Sequence, residues 1–191
     1  MSAREHLHDV VATLQPVLQG VPPGDLDGPT PCDGWTLRDL VGHVLGTTDA
    51  MRRVGAHEPL DRDDPWGSRG HEVGATWRDD LGDRLIALAD AWSQPEAWEG
   101  EALDGSMTRE EVGRLAYVEV MVHGWDLARA TGQEVAYSDG AVAEAEAVVE
   151  QVGETGRSMG AFGEEVRVDD DAPAFARVLG ATGRDPGWSA R

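Results

Sequence analysis

The sequence predicts an all-α domain, a helical bundle with a long crossover and a short C-terminal extension. Three observations carry that expectation. Apolar residues return near a 3.6-residue period in successive segments, two capping-box spacings announce helix starts, and one segment, Leu115 to Ala128, is apolar almost all round, as a buried central helix would be. With 191 residues and 40% hydrophobic content, the chain is long enough for one domain with a sizeable core.

The first helix, about residues 3 to 19, places Leu7, Val10, Val11, Leu14 and Leu18 on one face and stops in Gly20-Val21-Pro22-Pro23-Gly24. After the loop Gly28 to Trp35, the Thr36-x-x-Asp39 spacing opens a second helix, striped by Leu37, Leu40, Val41, Val44 and Leu45. His43 lies just off the edge of that stripe. Residues 55 to 70 carry Pro59, Pro65, Gly67 and Gly70 among many charges and read as a long crossover. A third helix is expected near 72 to 93, with Val73, Trp77, Leu81, Leu85, Leu88 and Trp92 facing the core. The fourth runs between a Thr108/Glu111 capping box and a Gly132 terminator. A further helix from Gly140 to Val152, an extension from Phe162 to Val168 and a last helix near Pro173 to Leu179 complete the chain. They are expected to close a pocket.

Charge and composition remove whole classes of function. The formal net charge is -20, and all 16 basic residues are Arg, so no basic stripe is available for a phosphate backbone or an anionic membrane. Nucleic acid and membrane are not expected partners. The start Met1-Ser2-Ala3-Arg4-Glu5-His6 lacks an apolar signal core, and no apolar run approaches the roughly 20 residues that cross a bilayer, so a cytoplasmic protein is expected. Cys32 is the single cysteine, which rules out an intrachain disulfide. Phosphate-binding loops, dinucleotide fingerprints and nucleophile elbows are missing from the sequence.

The chemistry-bearing residues are His43, Glu119 and His123. Glu119 and His123 are four apart, so a helix stacks them on one face, and at 100 degrees per residue Glu119, His123, Asp126 and Ala130 share one narrow strip. Burying a carboxylate and an imidazole in an apolar helix costs several kcal/mol unless something compensates them, and a metal ion would do so. With His43 from another helix, the set is two histidines and one acid, which leaves a coordination position open as in catalytic sites. Zinc is the expected ion, with nickel or iron as alternatives. Asp126 and Arg129 are expected behind the ligands, Asp126 orienting a histidine ring or pairing with Arg129 three residues on. Trp35 and Trp125 are expected as pocket walls, while Trp77 and Trp92 belong to the core. The plainer readings are a Glu-His hydrogen bond along one helix, a structural His43, and structural or solvent roles for His6, His8, His57 and His71. Cys32, in a Pro-Cys-Asp-Gly turn, reads as structural rather than nucleophilic.

Two stretches carry a resemblance. Pro29-Thr30-Pro31-Cys32-Asp33-Gly34-Trp35-Thr36-Leu37-Arg38-Asp39-Leu40-Val41-Gly42-His43 and Val122-His123-Gly124-Trp125-Asp126-Leu127-Ala128-Arg129-Ala130-Thr131-Gly132 resemble signatures of actinobacterial proteins related to mycothiol-dependent maleylpyruvate isomerase, within the DinB-like metalloprotein superfamily. The tail, from Phe162-Gly163-Glu164-Glu165-Val166 through Ala172-Pro173 to Gly183-Arg184-Asp185-Pro186, is similar to that subgroup as well.

The resemblance implies a DinB-like four-helix bundle over residues 1–137, with 138–191 packed on it as a C-terminal helix and extension in one compact domain. It implies an open metal site at His43, Glu119 and His123 and a low-molecular-weight thiol, mycothiol, as cosubstrate for a small electrophile. The chemistry would be that of an isomerase or a transferase. The sequence departs from the full isomerase in lacking a clear second domain after the bundle, so a substrate other than maleylpyruvate is expected. Two other readings stay open: a metal-binding stress or metal-handling protein without thiol chemistry, and a metal-dependent hydrolase with Glu119 or Asp126 near the base position. A homodimer is possible on apolar leftovers alone.

Overall fold

The computed structural model describes residues 2–22, 24, 26–67 and 71–190; Pro23 and Gly70, read above as loop residues, lie outside these. Among the described residues, six α-helices form the fold: α1 (Ala3–Gly20), α2 (Leu37–Gly55), α3 (Trp77–Trp92), α4 (Arg109–Ala130), α5 (Asp139–Ser158) and α6 (Ala174–Ala181). The all-α expectation holds. A minimal hairpin of β1 (Glu101–Ala102) and β2 (Met107–Thr108) precedes α4.

Helices α1 to α4 pack as a bundle, α2 against α3 and α4, and α1 against α3 and α4. The residues that bind them are the ones the period selects: Leu7, Val10, Leu18, Leu40, Val41, Leu81, Leu85, Leu88 and Met121 are all essentially without solvent exposure. Such burial of a Leu or Val side chain is worth about 1.5–3 kcal/mol each. α4 is the central element. Fifteen of its residues, running nearly unbroken from Val112 to Ala128, are buried, so it has no solvated face to supply a strong amphipathic stripe. Its ends are set locally: the Thr108 hydroxyl accepts from the Glu111 N–H, the Glu111 carboxylate accepts from the Thr108 N–H, and Gly132 turns out of the helix at φ +68°.

Two boundaries differ from expectation, each for a tertiary reason. α3 starts at Trp77 rather than near 72, because the chain before it is strapped to α2. The His71 N–H donates to the Gly42 carbonyl at 2.9 Å, and a Cβ on Gly42 would lie 3.6 Å from Val73 Cγ2. Val73 is thus packed from a loop rather than from a helix. α5 continues to Ser158 instead of stopping at Val152, since the loop beyond it folds back: Gly156 accepts from the Ala161 and Phe162 N–H groups, and the Phe162 ring is buried there.

The C-terminal residues lie against the same body. α5 packs on α4 and α1, and α6 on α5. The Val166 N–H donates to the Gly180 carbonyl and the Arg184 N–H to the Leu179 carbonyl, which turns the chain back toward α4. No helix among the described residues is long and apolar enough to cross a membrane.

Candidate metal centre

Four segments meet at the site: the loop before α2, α2 and α4 themselves, and the turn after α6. The loop is tied by its own chemistry. The Thr30 hydroxyl, buried, accepts from the Cys32 N–H at 3.2 Å and donates to the Trp35 carbonyl at 3.0 Å, while the Trp35 N–H donates to the Cys32 carbonyl. Thr36 then caps α2 in a reciprocal pair with Asp39. This local frame aims both Cys32 and Trp35 at the site.

His43, from the second turn of α2, and Glu119 and His123, from one face of α4, converge. His43 Nε2 is 2.9 Å from Glu119 Oε1, and His123 Nε2 is 3.3 Å from the same oxygen. The two imidazole rings sit 4.9 Å apart at 69°. Trp35 covers the pair, its ring 4.8 Å from His43 edge-on and 6.3 Å from His123 nearly parallel. The side chains of His43, Glu119 and His123 are only 19%, 14% and 6% exposed. Inward, His123 abuts a cavity of about 20 Å³ walled by Leu14, Leu40, Val41, Val120 and Leu127, scarcely room for one water. A much larger cavity, about 1100 Å³, lies elsewhere, between the crossover and the hairpin, and no member of the triad lines it.

Behind His123 stands Asp126. Its Oδ2 accepts from His123 Nδ1 at 2.8 Å, from Arg184 Nη2 at 3.1 Å and from the Cys32 thiol at 3.2 Å. The carboxylate has no solvent exposure, and Oδ1 has no hydrogen-bond partner among the described residues. Arg184 itself is buried, with Nη1 donating to the Thr182 carbonyl at 2.8 Å. Local spacing points to neither Arg184 nor Cys32 as a partner here, since each lies far from Asp126 in the chain and within hydrogen-bonding reach of it in space.

Arg129 is the correction. It does not pair with Asp126 but points outward, donating to the Trp188 carbonyl at 2.7 Å and to Glu134 at 2.7 Å. The buried cation opposite Asp126 is instead Arg184, which reaches it at 3.1 Å from the turn after α6. Trp125 is buried, but two residues from His123 it lies about 200 degrees around α4 from that ring, so it belongs to the core packing and not to the wall that Trp35 makes.

The electrostatics follow from this packing. Burial alone would raise the Glu119 carboxyl, but the His123 charge and the hydrogen bonds of His123 and His43 hold it well below the usual carboxylate range. Burial likewise opposes a charged His123; the Glu119 charge and the Asp126, Cys32 and Glu119 hydrogen bonds overcome it and raise that imidazole well above its ordinary value. A site that binds a proton this firmly is one where a cation is favoured, and a metal would compete for the same atoms. The donor set fits one: two ring nitrogens and a carboxylate oxygen within 4.8 Å of one another, from two helices.

The family profile described as "Mycothiol maleylpyruvate isomerase N-terminal domain" matches residues 7–128. Two Mycobacterium tuberculosis proteins, the uncharacterized proteins MT0763 and Rv0738, are each 30% identical over 135 residues, 70% of this chain and 68% of theirs. Two crystal structures of mycothiol-dependent maleylpyruvate isomerase, one of them an alanine mutant, superpose with TM-scores of 0.60 and 0.57. They cover 99% of this chain and 80% of those, at 15% and 16% identity, and so share its fold.

Proposed function

This chain belongs to the mycothiol maleylpyruvate isomerase N-terminal domain family, and from that premise we propose that it is a divalent-metal-dependent and thiol-dependent isomerase or transferase acting on a small electrophile. The observation that carries the proposal is the convergence of His43 Nε2, His123 Nε2 and Glu119 Oε1 from two helices inside the matched segment.

His43, Glu119 and His123 would hold the ion, zinc being the expected one, and it would supply Lewis acidity that favours the thiolate form of a bound thiol at neutral pH. The thiol is mycothiol by family. Around that chemistry the chain's own residues have distinct tasks. Glu119 contributes the negative charge that offsets a dication in a half-buried site. Asp126 holds His123 Nδ1–H, which turns the Nε2 lone pair toward Glu119 and His43. The Trp35 ring shields both imidazoles and narrows the approach from solvent. An isomerase of this kind adds sulfur to a conjugated carbon, so that the double bond becomes single and rotates; the carbon–sulfur bond then breaks and the double bond re-forms. A transferase would keep the sulfur on the product.

The test is metal content by mass spectrometry on protein purified without a metal-binding tag, followed by assay with thiol and electrophile. About one ion per chain is expected in the wild type, and a near-complete loss in each of His43→Ala, Glu119→Ala and His123→Ala. A wild type that cannot be loaded with zinc, iron or nickel would sink the reading. Turnover that needs no thiol would replace it with metal-dependent hydrolysis, and bound metal without turnover of any electrophile would leave a metal-handling protein.

A further inference from the structure

The thiol of Cys32 lies on the far side of His123 from Glu119. Its Sγ is 4.0 Å from Nδ1, the ring nitrogen that faces away from Glu119, and 3.2 Å from Asp126 Oδ2. Arg184 Nη2 approaches the same sulfur at 3.7 Å. A sulfur so placed is shielded by the imidazole from anything held between His43 and Glu119, so it is badly sited to attack a substrate there. It is well sited to act on Asp126.

We infer that Cys32 is a positioning residue for His123, an assignment that rests on the metal-dependent reading above. Asp126 Oδ2 accepts from donors on three residues, Arg184 giving both Nε and Nη2, while Oδ1 accepts from no described residue. A carboxylate used through one oxygen can swing about its Cγ bond unless that oxygen is held from more than one side. Arg184 holds it from the C-terminal turn and Cys32 from the loop before α2, and between them Oδ2 stays on the His123 Nδ1–H axis. The sulfhydryl is a weak donor, yet it is neutral and compact. A second cation in its place would compete with His123 for Asp126, and an apolar side chain would leave the oxygen free to move. The loop supports this use: Cys32 is fixed by the Thr30 hydroxyl at its own N–H, and Trp35, three residues on, lies against both imidazole rings. One short turn therefore sets both the cover of the site and the orientation of one ligand.

The experiment compares wild type with Cys32→Val and Cys32→Ser. Val fills a similar volume with no donor, and Ser restores an O–H. Two quantities are read: the water-exchange rate of the His123 Nδ1–H by NMR in metal-free protein, and zinc affinity by competition with a chelator. In Cys32→Val the Nδ1–H is expected to exchange about tenfold faster and zinc to bind about tenfold more weakly, the lower end of what loss of a group behind a metal ligand costs. Cys32→Ser is expected to recover both to within about threefold of wild type. Unchanged Nδ1–H exchange in Cys32→Val overturns the assignment, as does equal impairment in Val and Ser, which would mark a packing role. Cobalt substitution adds a third arm: a thiolate-to-cobalt absorption band that vanishes in Cys32→Ser would make Cys32 a ligand itself and overturn the positioning role. Failure of the wild type to bind zinc would defeat the metal reading alone, because the exchange measurement is made without metal.

Discussion

Asp126 shows at the residue scale how much one buried charge demands. Burial opposes its ionised form, and the His123 hydrogen bond and the Arg184 charge together outweigh that, holding its carboxyl below the usual range. Its side chain is 0% exposed and that of Arg184 10%, so neither solvent nor salt can substitute for the other partner. Removing one partner of such a pair is costly, whereas the pair as a whole adds little net stability. Arg184→Met, which keeps most of the apolar stem, is therefore expected to lower unfolding free energy by about 3–5 kcal/mol. Urea titration of the metal-free protein measures it, and a loss under about 1 kcal/mol would mean that Asp126 is compensated by other means. The outward pair Arg129–Glu134, with Glu134 84% exposed, is a useful control that should matter far less.

The site is only as well placed as α2 and α4, and both helices are fixed by cap chemistry and by close approach of their neighbours. A Cβ added at Gly46 would fall 2.1 Å from the Gly67 carbonyl oxygen, so the crossover can lie on α2 one turn from His43 only because position 46 has no side chain. Gly124, next to His123, does the same for Leu14 and the Tyr137 hydroxyl. At the start of α4, the Thr108 N–H and then its hydroxyl donate to Glu111 and lower that carboxyl below 4.5. A depressed folded-state value means that this stabilisation is fully present above the unfolded value and is lost as pH falls through the folded one. Thr108→Ala is expected to cost about 1 kcal/mol near neutral pH. As pH falls from above the ordinary carboxylate value through the lowered one, Glu111→Gln should lose less stability than wild type, because the mutant has no proton to take up there. Denaturant melts across that range decide it; parallel curves for mutant and wild type would remove Glu111 from the acid response.

At the scale of the whole molecule, a net charge of -20 means self-repulsion in the compact state. Salt should relieve it. Raising ionic strength from about 0.01 M to about 0.15 M shortens the screening length from about 30 Å to about 8 Å, and the thermal midpoint is expected to rise by a few degrees. The measurement is calorimetry in a non-chelating buffer, where a midpoint that falls with salt would show that surface ion pairs such as Arg52–Glu58 outweigh the repulsion. The same net charge disfavours a polyanionic partner, in keeping with the small-molecule chemistry proposed.

The core helices and the Glu119–His123 pair were legible in the amino-acid order because each depends on short-range spacing, whereas His43, 76 residues from Glu119, meets them only in the fold. A 3.6-residue period chooses the buried face, a Thr with an acid three residues on marks a helix start, and four residues stack Glu119 under His123. Where α3 begins and where α5 stops were not legible, since strapping of His71 and Val73 to α2 and back-folding of Phe162 on Gly156 are contacts between segments. The same holds for the partners of Asp126. Local spacing offered Arg129, three residues away, whereas the fold supplied Arg184 from 58 residues away and Cys32 from 94. Chain order encodes which side chains share a helix face, but which distant charge fills the space behind that face is decided only when the helices pack and the buried carboxylate must find a partner.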